Sequence, residues 1–166
     1  MTVGTRSAFQ GRPPARSALR RSAAVAVLAA VGCSEPFGFI PGGELEGEVE
    51  PAPADWTDLE GRHNVQLEIR PDSPYSINMW AVGIGPDVYV ATREDGTRWT
   101  EYLEETPDVR VRVDASIYEL VAVQVHDQAE RRAVSTAFAA KYDLAPADNW
   151  VAGGQVFRLD RRGRDP

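Results

Sequence analysis

The sequence predicts an α+β domain that is mainly β, with six antiparallel strands closing into a small barrel and two helices, one short and one longer. Two observations lead to this prediction. Five strand-like runs follow one another through short connections before any long helix, whereas parallel strands need longer crossovers. Several of these runs alternate apolar and polar residues, the period of a strand with one buried face.

Turn residues separate the six runs that have the composition of strands. In chain order the runs cover residues 65–70, 75–82, 88–92, 109–113, 117–125 and 155–159. Residues 71–74 are Pro-Asp-Ser-Pro, a composition that favours a turn between the first two runs. Only three residues separate Val113 from Ile117, so we expect the fourth and fifth strands to form an antiparallel hairpin.

The short helix is predicted by the spacing of Trp99, Tyr102 and Leu103. These residues stand at i, i+3 and i+4, which places their side chains on one helical face. Pro107 ends the helix, because the residue before a proline is pushed out of the α region.

The longer helix is predicted to begin after Asp127. An aspartate at the N-cap with Glu130 three residues later is an acidic form of the capping box. Small and apolar residues continue the helical pattern to about Tyr142, and Pro146 prevents any continuation.

Residues 1–32 have the layout of a secretory signal peptide. They contain five arginines and no acidic residue, and an apolar run at residues 23–32 ends in small residues. A run of this length is too short to cross a bilayer, which needs about 20 residues.

Cys33, the only cysteine, follows this run directly. Residues 28–33 resemble a bacterial lipoprotein signal, in which the cysteine becomes the lipidated first residue of the mature chain. Ala30 stands where such signals usually have leucine. The alternatives are a free cysteine and a cleaved signal peptide without lipid. With Ser34 next, the resemblance implies an exported cell-envelope protein, anchored by Cys33 in the outer membrane and facing the periplasm.

The remaining chain divides by composition. Residues 33–54 are predicted to be a tether rich in glycine, proline and glutamate, residues 55–162 the folded domain, and residues 163–166 a frayed tail. In an alternative interpretation, residues 42–47 pack back over the barrel as a lid.

The balance of acidic and basic residues indicates which kind of macromolecule the protein is not expected to bind. The net charge is −7, but five of the 18 basic residues precede Cys33, so 13 basic and 25 acidic residues follow it. An acidic domain argues against nucleic acid as a partner.

The middle of the chain carries a family resemblance. A strand ending in Thr92 is followed by a glycine-containing loop, then by the residues Trp99, Leu103, Pro107, Val109 and Val111. This order resembles the split β-barrel superfamily of flavin- and deazaflavin-binding proteins, which includes pyridoxamine-phosphate oxidases and deazaflavin-dependent nitroreductases. Tyr102 stands where that pattern has asparagine. The resemblance covers roughly residues 65–127 and implies a split barrel.

The sequence contains no signature of hydrolysis or of a metal site. It has no Ser/His/Asp motif, no cluster of metal ligands and no phosphate-binding P-loop. His63 and His126 are far apart, and His126 is expected to lie at a strand end. We therefore predict no catalytic side chain and no metal.

The resemblance implies a cofactor site for FMN or a deazaflavin. Arginine suits bidentate phosphate contacts, and an indole can stack on a flavin ring. Thr92, Arg93, Thr97 and Arg98 match the phosphate position, while the ring would lie near Ser76, Asn78 and Trp80, with Trp80 or Trp99 stacking. Alternatively, Trp80 and Trp99 belong to the core, Arg93 and Arg98 balance Glu94 and Asp95 on the surface, and no cofactor binds.

Two functions follow from these expectations. The first is an exported lipoprotein that resembles flavin- or deazaflavin-dependent nitroreductases and transfers hydride to a small aromatic or quinone-like acceptor. The second is a non-catalytic envelope lipoprotein that kept the barrel and binds a small ligand or another envelope component. The resemblance also implies a homodimer.

Overall fold

The computed structural model describes residues 1–2 and 40–163. The predicted signal peptide, Cys33 and residues 164–166 lie outside these residues. None of the helices in the described part is long and apolar enough to cross a bilayer.

The described residues form an eight-stranded sheet and two α-helices. The strands are β1 (Glu48–Val49), β2 (Val65–Ile69), β3 (Tyr75–Met79), β4 (Ala81–Ile84), β5 (Asp87–Thr92), β6 (Asp108–Val113), β7 (Ser116–Gln124) and β8 (Gln155–Arg161). The helices are α1 (Arg98–Glu105) and α2 (Gln128–Tyr142), and short 3-10 helices cover Thr57–Gly61, Pro146–Asp148 and Trp150–Ala152. The predicted α+β class is confirmed.

The order of the strands shows that the sheet is curled. Seven strands follow the path β3-β2-β6-β7-β8-β5-β4, in which every neighbouring pair is antiparallel. The two ends of this path, β3 and β4, are consecutive in the chain and only Trp80 lies between them. Because neighbouring Cα atoms are about 3.8 Å apart, the sheet has to curl until its ends meet.

The number of strands differs from the six predicted, for two reasons. The run at residues 75–82 is divided at Trp80, because β3 pairs with β2 while β4 pairs with β5 at the other end of the strand path. In addition, Glu48–Val49 forms a short parallel strand beside Ser116–Ile117 of β7. A single run of strand-forming residues does not reveal that its two halves have different partners.

The predicted hairpin and both predicted helices are confirmed. β6 and β7 pair antiparallel, with Val113 opposite Ser116. The Asp127 carboxylate accepts a hydrogen bond of 2.8 Å from the Glu130 amide and caps α2. The helix ends at Tyr142, and Asp143 then adopts left-handed backbone angles.

Apolar residues form two clusters. One gathers buried residues from β2, from β5 to β8 and from α1, and includes Trp99 and Phe157. The other fills the space between α2 and strands β4, β5 and β8, where Phe138 is fully buried. α2 therefore packs on the part of the barrel next to Trp80.

The segment before the predicted domain boundary is packed against the barrel. We call residues 42–50 the strap. The Gly42 amide donates to the Ser76 carbonyl at 2.8 Å, and the Ser76 amide donates to the Gly42 carbonyl at 3.0 Å. Leu45 is only 1% exposed. Burial of this leucine and the pairing of β1 explain why these residues do not behave as a tether.

A buried ion pair lies beneath the strap. Glu68 is 1% exposed, and its carboxylate accepts hydrogen bonds of 2.9 and 3.0 Å from Arg110 and one of 2.5 Å from the Leu45 amide. Arg110 also donates to the Leu45 carbonyl, and Arg112 donates to the Glu46 carbonyl. The strap thus packs back on the barrel, as in the alternative interpretation, and covers the strand face that was expected to meet water.

Candidate functional site

A cavity of about 420 Å³ opens at the end of β5, within the size range of small-molecule sites. We call it the Trp80 pocket. It is lined by two indoles, two hydroxyl residues, an arginine, an aspartate and two small residues, namely Trp80, Ala91, Thr92, Arg93, Asp95, Gly96, Thr97 and Trp150.

The polar side of the pocket is the loop from β5 to α1. The Gly96 amide donates to the Arg93 carbonyl at 3.0 Å, which closes a tight turn. Gly96 has a φ of 69°, a conformation that side-chain-bearing residues rarely adopt. Thr97 is the N-cap of α1, and its amide donates to the Thr100 hydroxyl at 3.0 Å. Turn and cap together fix the backbone of this loop.

A close backbone contact holds Thr92 at the pocket. A Cβ atom on Gly154 would lie 2.1 Å from the Thr92 carbonyl oxygen, so only glycine fits there. Next to it, Gln155 pairs with Thr92 in the sheet and donates through its side chain to the Glu94 carbonyl at 3.1 Å. β8 thereby supports both the end of β5 and the loop that follows it.

The aromatic side of the pocket is supported by further rings. Trp80 stacks on Tyr142 with ring centroids 4.2 Å apart and planes 6° apart. Trp150 lies 6.3 Å from Trp80 and also contacts Phe138. His63 and Trp80 form an edge-to-face pair with ring centroids 6.0 Å apart. The two pocket indoles therefore rest on side chains from α2 and cannot rotate freely.

Tyr142 and Lys141 fix the backbone next to Trp80. The Tyr142 hydroxyl accepts a hydrogen bond from the Ala81 amide and donates toward the carbonyls of Ala81 or His63, all at 3.0 Å. Lys141 donates to the carbonyls of Leu59 and Ala81 at 2.5 and 2.7 Å. Burial raises the pKa of Tyr142 to about 12 and lowers the pKa of Lys141.

The charges at the pocket are one cation and one anion. The side chains of Arg93 and Asp95 are exposed, and neither has a hydrogen-bond or ion-pair partner among residues 40–163. A free guanidinium beside two threonine hydroxyls can hold an oxyanion, and the indoles can hold a planar ring. Asp95 opposes a ligand that carries several negative charges.

Four of the eight residues predicted for the cofactor site come together in this pocket. They are Trp80, Thr92, Arg93 and Thr97. Arg98 is exposed in the first turn of α1, outside the pocket lining. Trp99 is 6% exposed and packs edge-on against Phe157 in the core, with ring centroids 5.4 Å apart.

The other two predicted residues lie on β3, away from the pocket lining. Ser76 is fully buried beneath Gly42 of the strap. Its hydroxyl has no hydrogen-bond partner among the described residues. Asn78 is half-buried opposite Gln66. The interruption of the strand at Trp80 separates both residues from the indole with which they were grouped.

Sequence reasoning missed Trp150 and Tyr142. Both come from the chain after β7, and the tertiary fold brings them to Trp80. The only available signal was local, since Tyr142 ends a predicted helix and Trp150 follows within a few residues. Nothing in the sequence around either residue indicates that it contacts Trp80.

Comparison with sequences gives limited information. No protein-family model matches the chain. It is 39% identical to argininosuccinate synthase of several Staphylococcus aureus strains over 36% of its own length, and it spans about a fifth (19%) of the length of those curated relatives. A match of that extent carries no inference about the synthase reaction.

Comparison with solved structures identifies the fold. A conserved hypothetical protein of Mycobacterium tuberculosis has a TM-score of 0.51 and 18% identity, covering 63% of this chain and 76% of that one. The heme storage protein of Vibrio cholerae has a TM-score of 0.50 and 14% identity, covering 64% and 87%. An FAD-binding protein of Mesorhizobium loti follows at a TM-score of 0.46 and 13% identity, covering 61% and 82%. At these identities the first two likenesses show the fold alone, and the chain has the predicted split-barrel fold.

Proposed function

We propose that this protein binds FMN or a deazaflavin in the Trp80 pocket and transfers hydride to a small aromatic or quinone-like acceptor. The observation that carries the proposal is the lining of the pocket, where two indoles share one cavity with two threonines and with Arg93, whose guanidinium has no ion-pair partner in the described part of the chain. A flavin has the matching composition, with a planar ring at one end and a phosphate at the other.

Each wall of the pocket has a separate task in this proposal. Trp80 and Trp150 cover the ring and exclude water from it. Arg93 and the hydroxyls of Thr92 and Thr97 hold the phosphate by charge-assisted hydrogen bonds. The turn at Gly96 keeps these donors in place before the ligand arrives, which reduces the entropy lost on binding.

The cofactor supplies the hydride chemistry, so the protein needs no catalytic side chain of its own. Its contribution is to bind, to orient and to limit the size of the acceptor. Because the pocket opens at the end of β5 and is bounded by rings, a flat acceptor fits it better than a bulky one.

One observation favours the second function, a non-catalytic envelope protein. Asp95 lines the pocket beside Arg93, and its carboxylate repels the phosphate dianion of a flavin nucleotide. A neutral planar ligand without phosphate would avoid this repulsion. The two functions therefore differ in what they expect of Arg93.

A titration of the purified chain with FMN, with riboflavin and with a reduced deazaflavin tests the proposal. We expect quenching of flavin fluorescence with a saturable, micromolar dissociation constant (on the order of 1–10 μM) for FMN. Arg93→Gln should weaken FMN binding about tenfold and leave riboflavin binding almost unchanged, because riboflavin lacks the phosphate. Arg98→Gln is the matched control, since Arg98 is equally exposed but does not line the pocket.

Three results separate the outcomes. FMN binding that depends on Arg93 supports the cofactor site and justifies a screen of nitroaromatic and quinone acceptors. Equal binding of riboflavin and FMN, insensitive to Arg93, favours the binding protein. Absence of saturable binding by any of the three ligands contradicts both versions of the Trp80 site.

We further propose that the chain is exported and lipidated on Cys33. The layout of residues 1–33 supports this, since a basic region and a short apolar run precede the lone cysteine. Metabolic labelling with a fatty-acid analogue should label the wild-type chain and not Cys33→Ala. Wild type should fractionate with the outer membrane and the variant with soluble periplasmic protein; labelling that persists in the variant would contradict the assignment.

A homodimer is the remaining proposal and is supported by the resemblance to split-barrel proteins. Sedimentation of the lipid-free Cys33→Ala chain measures the state directly. A mass twice that of one chain is expected, and the mass of a single chain at all concentrations would contradict it.

A further inference from the structure

A second cavity, of about 430 Å³, also touches the 3-10 helix Trp150–Ala152, through Ala152, whereas Trp150 of the same helix lines the Trp80 pocket. We call it the arginine pocket. Five polar residues of α2 and one residue of the 3-10 helix line it, namely Gln128, Arg131, Arg132, Ser135, Thr136 and Ala152.

The five helix residues form a single stripe. From Gln128 to Thr136 they stand at i, i+3, i+4, i+7 and i+8, the spacing that usually carries the apolar face of a helix. Here the buried apolar residues of α2 are Val134 and Phe138 instead. The polar stripe is therefore additional to the core-packing face, and it borders a cavity.

The two arginines of the stripe lack acidic partners. The half-buried Arg131 donates to the backbone carbonyls of Gly154 at 2.7 Å and Val125 at 3.4 Å. Among residues 40–163, neither Arg131 nor Arg132 forms an ion pair with a carboxylate, whereas Arg62, Arg110, Arg158 and Arg162 do. Backbone carbonyls orient the Arg131 guanidinium without neutralising its charge.

The nearest carboxylates on the same helix are already occupied. Asp127 caps the helix by accepting from the Glu130 amide. Glu130 accepts from the Tyr89 hydroxyl at 2.9 Å and from Arg158 at 2.7 Å. In a chain with 25 acidic and 18 basic residues, two neighbouring arginines that form no ion pair within residues 40–163 stand out, although the Asp127 carboxylate at the helix start keeps its charge.

Hydroxyl groups complete the lining. The Ser135 hydroxyl oxygen accepts from the Asn149 side-chain amide at 2.9 Å, which leaves its own hydrogen free to donate. Thr136 donates to the Arg132 carbonyl at 2.9 Å, so its oxygen can accept from a ligand. The Gln128 side chain can do both.

We propose that the arginine pocket binds a small organic anion through a phosphate or carboxylate group held by Arg131 and Arg132. A guanidinium binds either oxyanion in a bidentate manner. The cavity is larger than one such group, so the body of the ligand lies against Ser135, Thr136 and Gln128, whose hydrogen bonds suit a hydroxylated ligand. This site is independent of the flavin proposed for the Trp80 pocket.

An NMR titration of the ¹⁵N-labelled full chain with inorganic phosphate, and separately with succinate, at constant ionic strength tests the proposal. We expect saturable shifts of the backbone amides at residues 128–136 and at Gly154. Arg132→Gln should raise the dissociation constant about tenfold, the effect of losing one charge-assisted hydrogen bond. Because Arg132 is exposed, this variant should keep the fold.

Arg98→Gln is the matched control, since it removes an exposed arginine at the start of the other helix. An unchanged dissociation constant in this control is expected. Equal weakening in both variants would show attraction to overall charge and overturn the site, as would shifts without saturation. Shifts centred on Gly96 and abolished by Arg93→Gln would assign the anion to the Trp80 pocket instead. Preference for phosphate over succinate, or the reverse, identifies the ligand class.

Discussion

The indole of Trp80 lies parallel to the phenol of Tyr142, with ring centroids 4.2 Å apart and an angle of 6° between the planes. The Tyr142 hydroxyl also bonds to the backbone of Ala81, the residue next to Trp80. One side chain of α2 therefore fixes both the ring and the backbone at the pocket wall.

Tyr142→Phe keeps the stacked ring and removes the hydroxyl, so it separates these two effects. We expect a loss of about 1–2 kcal/mol in the free energy of unfolding, measured with urea, because the Ala81 amide loses an acceptor. Tyr142→Leu should cost about 1 kcal/mol more, since the ring contact is lost as well. Tyr75→Phe is the control, because the Tyr75 hydroxyl has no hydrogen-bond partner in the described part of the chain; an equal loss there would contradict this account.

Asp95→Asn should strengthen the binding of a phosphate-bearing ligand in the Trp80 pocket. Removing the carboxylate removes a repulsion of about 1 kcal/mol toward a dianion, which is roughly a fivefold change in the dissociation constant of FMN. The gain should shrink at high salt. Glu94→Gln changes the neighbouring charge outside the pocket lining and should have a smaller effect. A gain that is the same for riboflavin would show that the phosphate is not near Asp95.

Glu68→Gln should destabilise the domain and release the strap. The change leaves the Arg110 guanidinium, whose side chain is 16% exposed, without its buried anion, and we expect a loss of about 3 kcal/mol. Hydrogen exchange at the Leu45 amide should accelerate, because that amide donates to the Glu68 carboxylate. Asp114→Asn, which breaks the exposed Arg62–Asp114 pair, should cost less than about 1 kcal/mol. Unchanged exchange at Leu45 in Glu68→Gln would contradict the role assigned to the ion pair.

Alkaline pH should destabilise the fold through its buried tyrosines. Burial raises the pKa of Tyr142 to about 12, from an ordinary value of about 10, and burial and Glu130 raise the pKa of Tyr89. The folded state then holds these protons more tightly than the unfolded state, so stability present below about pH 10 is lost as the pH rises toward 12.

Lys141 changes the pH dependence of stability in the opposite direction. Its pKa is lowered by burial, so the unfolded state binds its proton more tightly and stability rises with pH below the ordinary value of about 10.4. Urea unfolding at successive pH values should therefore show a decline only above about pH 10, and this decline should be shallower in Tyr142→Phe. An identical slope in wild type and Tyr142→Phe would show that Tyr142 does not carry the effect.

Elements governed by local chemistry were predictable from the sequence. The cap at Asp127, the end of the short helix before Pro107 and the hairpin at Val113 each depend on a few consecutive residues. For the same reason the loop from Arg93 to Thr97 was assigned correctly to the space between a strand and a helix.

Features that depend on distant partners were not predictable. Trp80 lies within an unbroken run of strand-forming residues, and only the pairing of β3 and β4 with different strands interrupts it. The strap has the composition of a linker, yet Leu45 and the buried Glu68–Arg110 pair hold it to the barrel. Glu68 and Arg110 are polar residues in alternating runs, and the segment that covers them lies more than 20 residues away in the chain.

The candidate site shows the same division. The polar residues of the Trp80 pocket come from one continuous stretch and coincide with predicted positions, whereas Trp150 and Tyr142 follow α2 or end it and were not predicted. Trp99 is one of the positions that carry the family resemblance, and in the structure it belongs to the hydrophobic core. A pattern of matched positions does not by itself separate core indoles from pocket indoles.

Trp80 is both a wall of the pocket and the one residue between the two ends of the strand path. It therefore lies where the two ends of the sheet meet. A molecule bound against Trp80 would add contacts at that place and stabilise the folded barrel. By mass action, a ligand present at 100 times its dissociation constant adds about 2.7 kcal/mol to the free energy of unfolding. On the proposed function, the empty protein would therefore have a lower free energy of unfolding than the protein with its ligand bound.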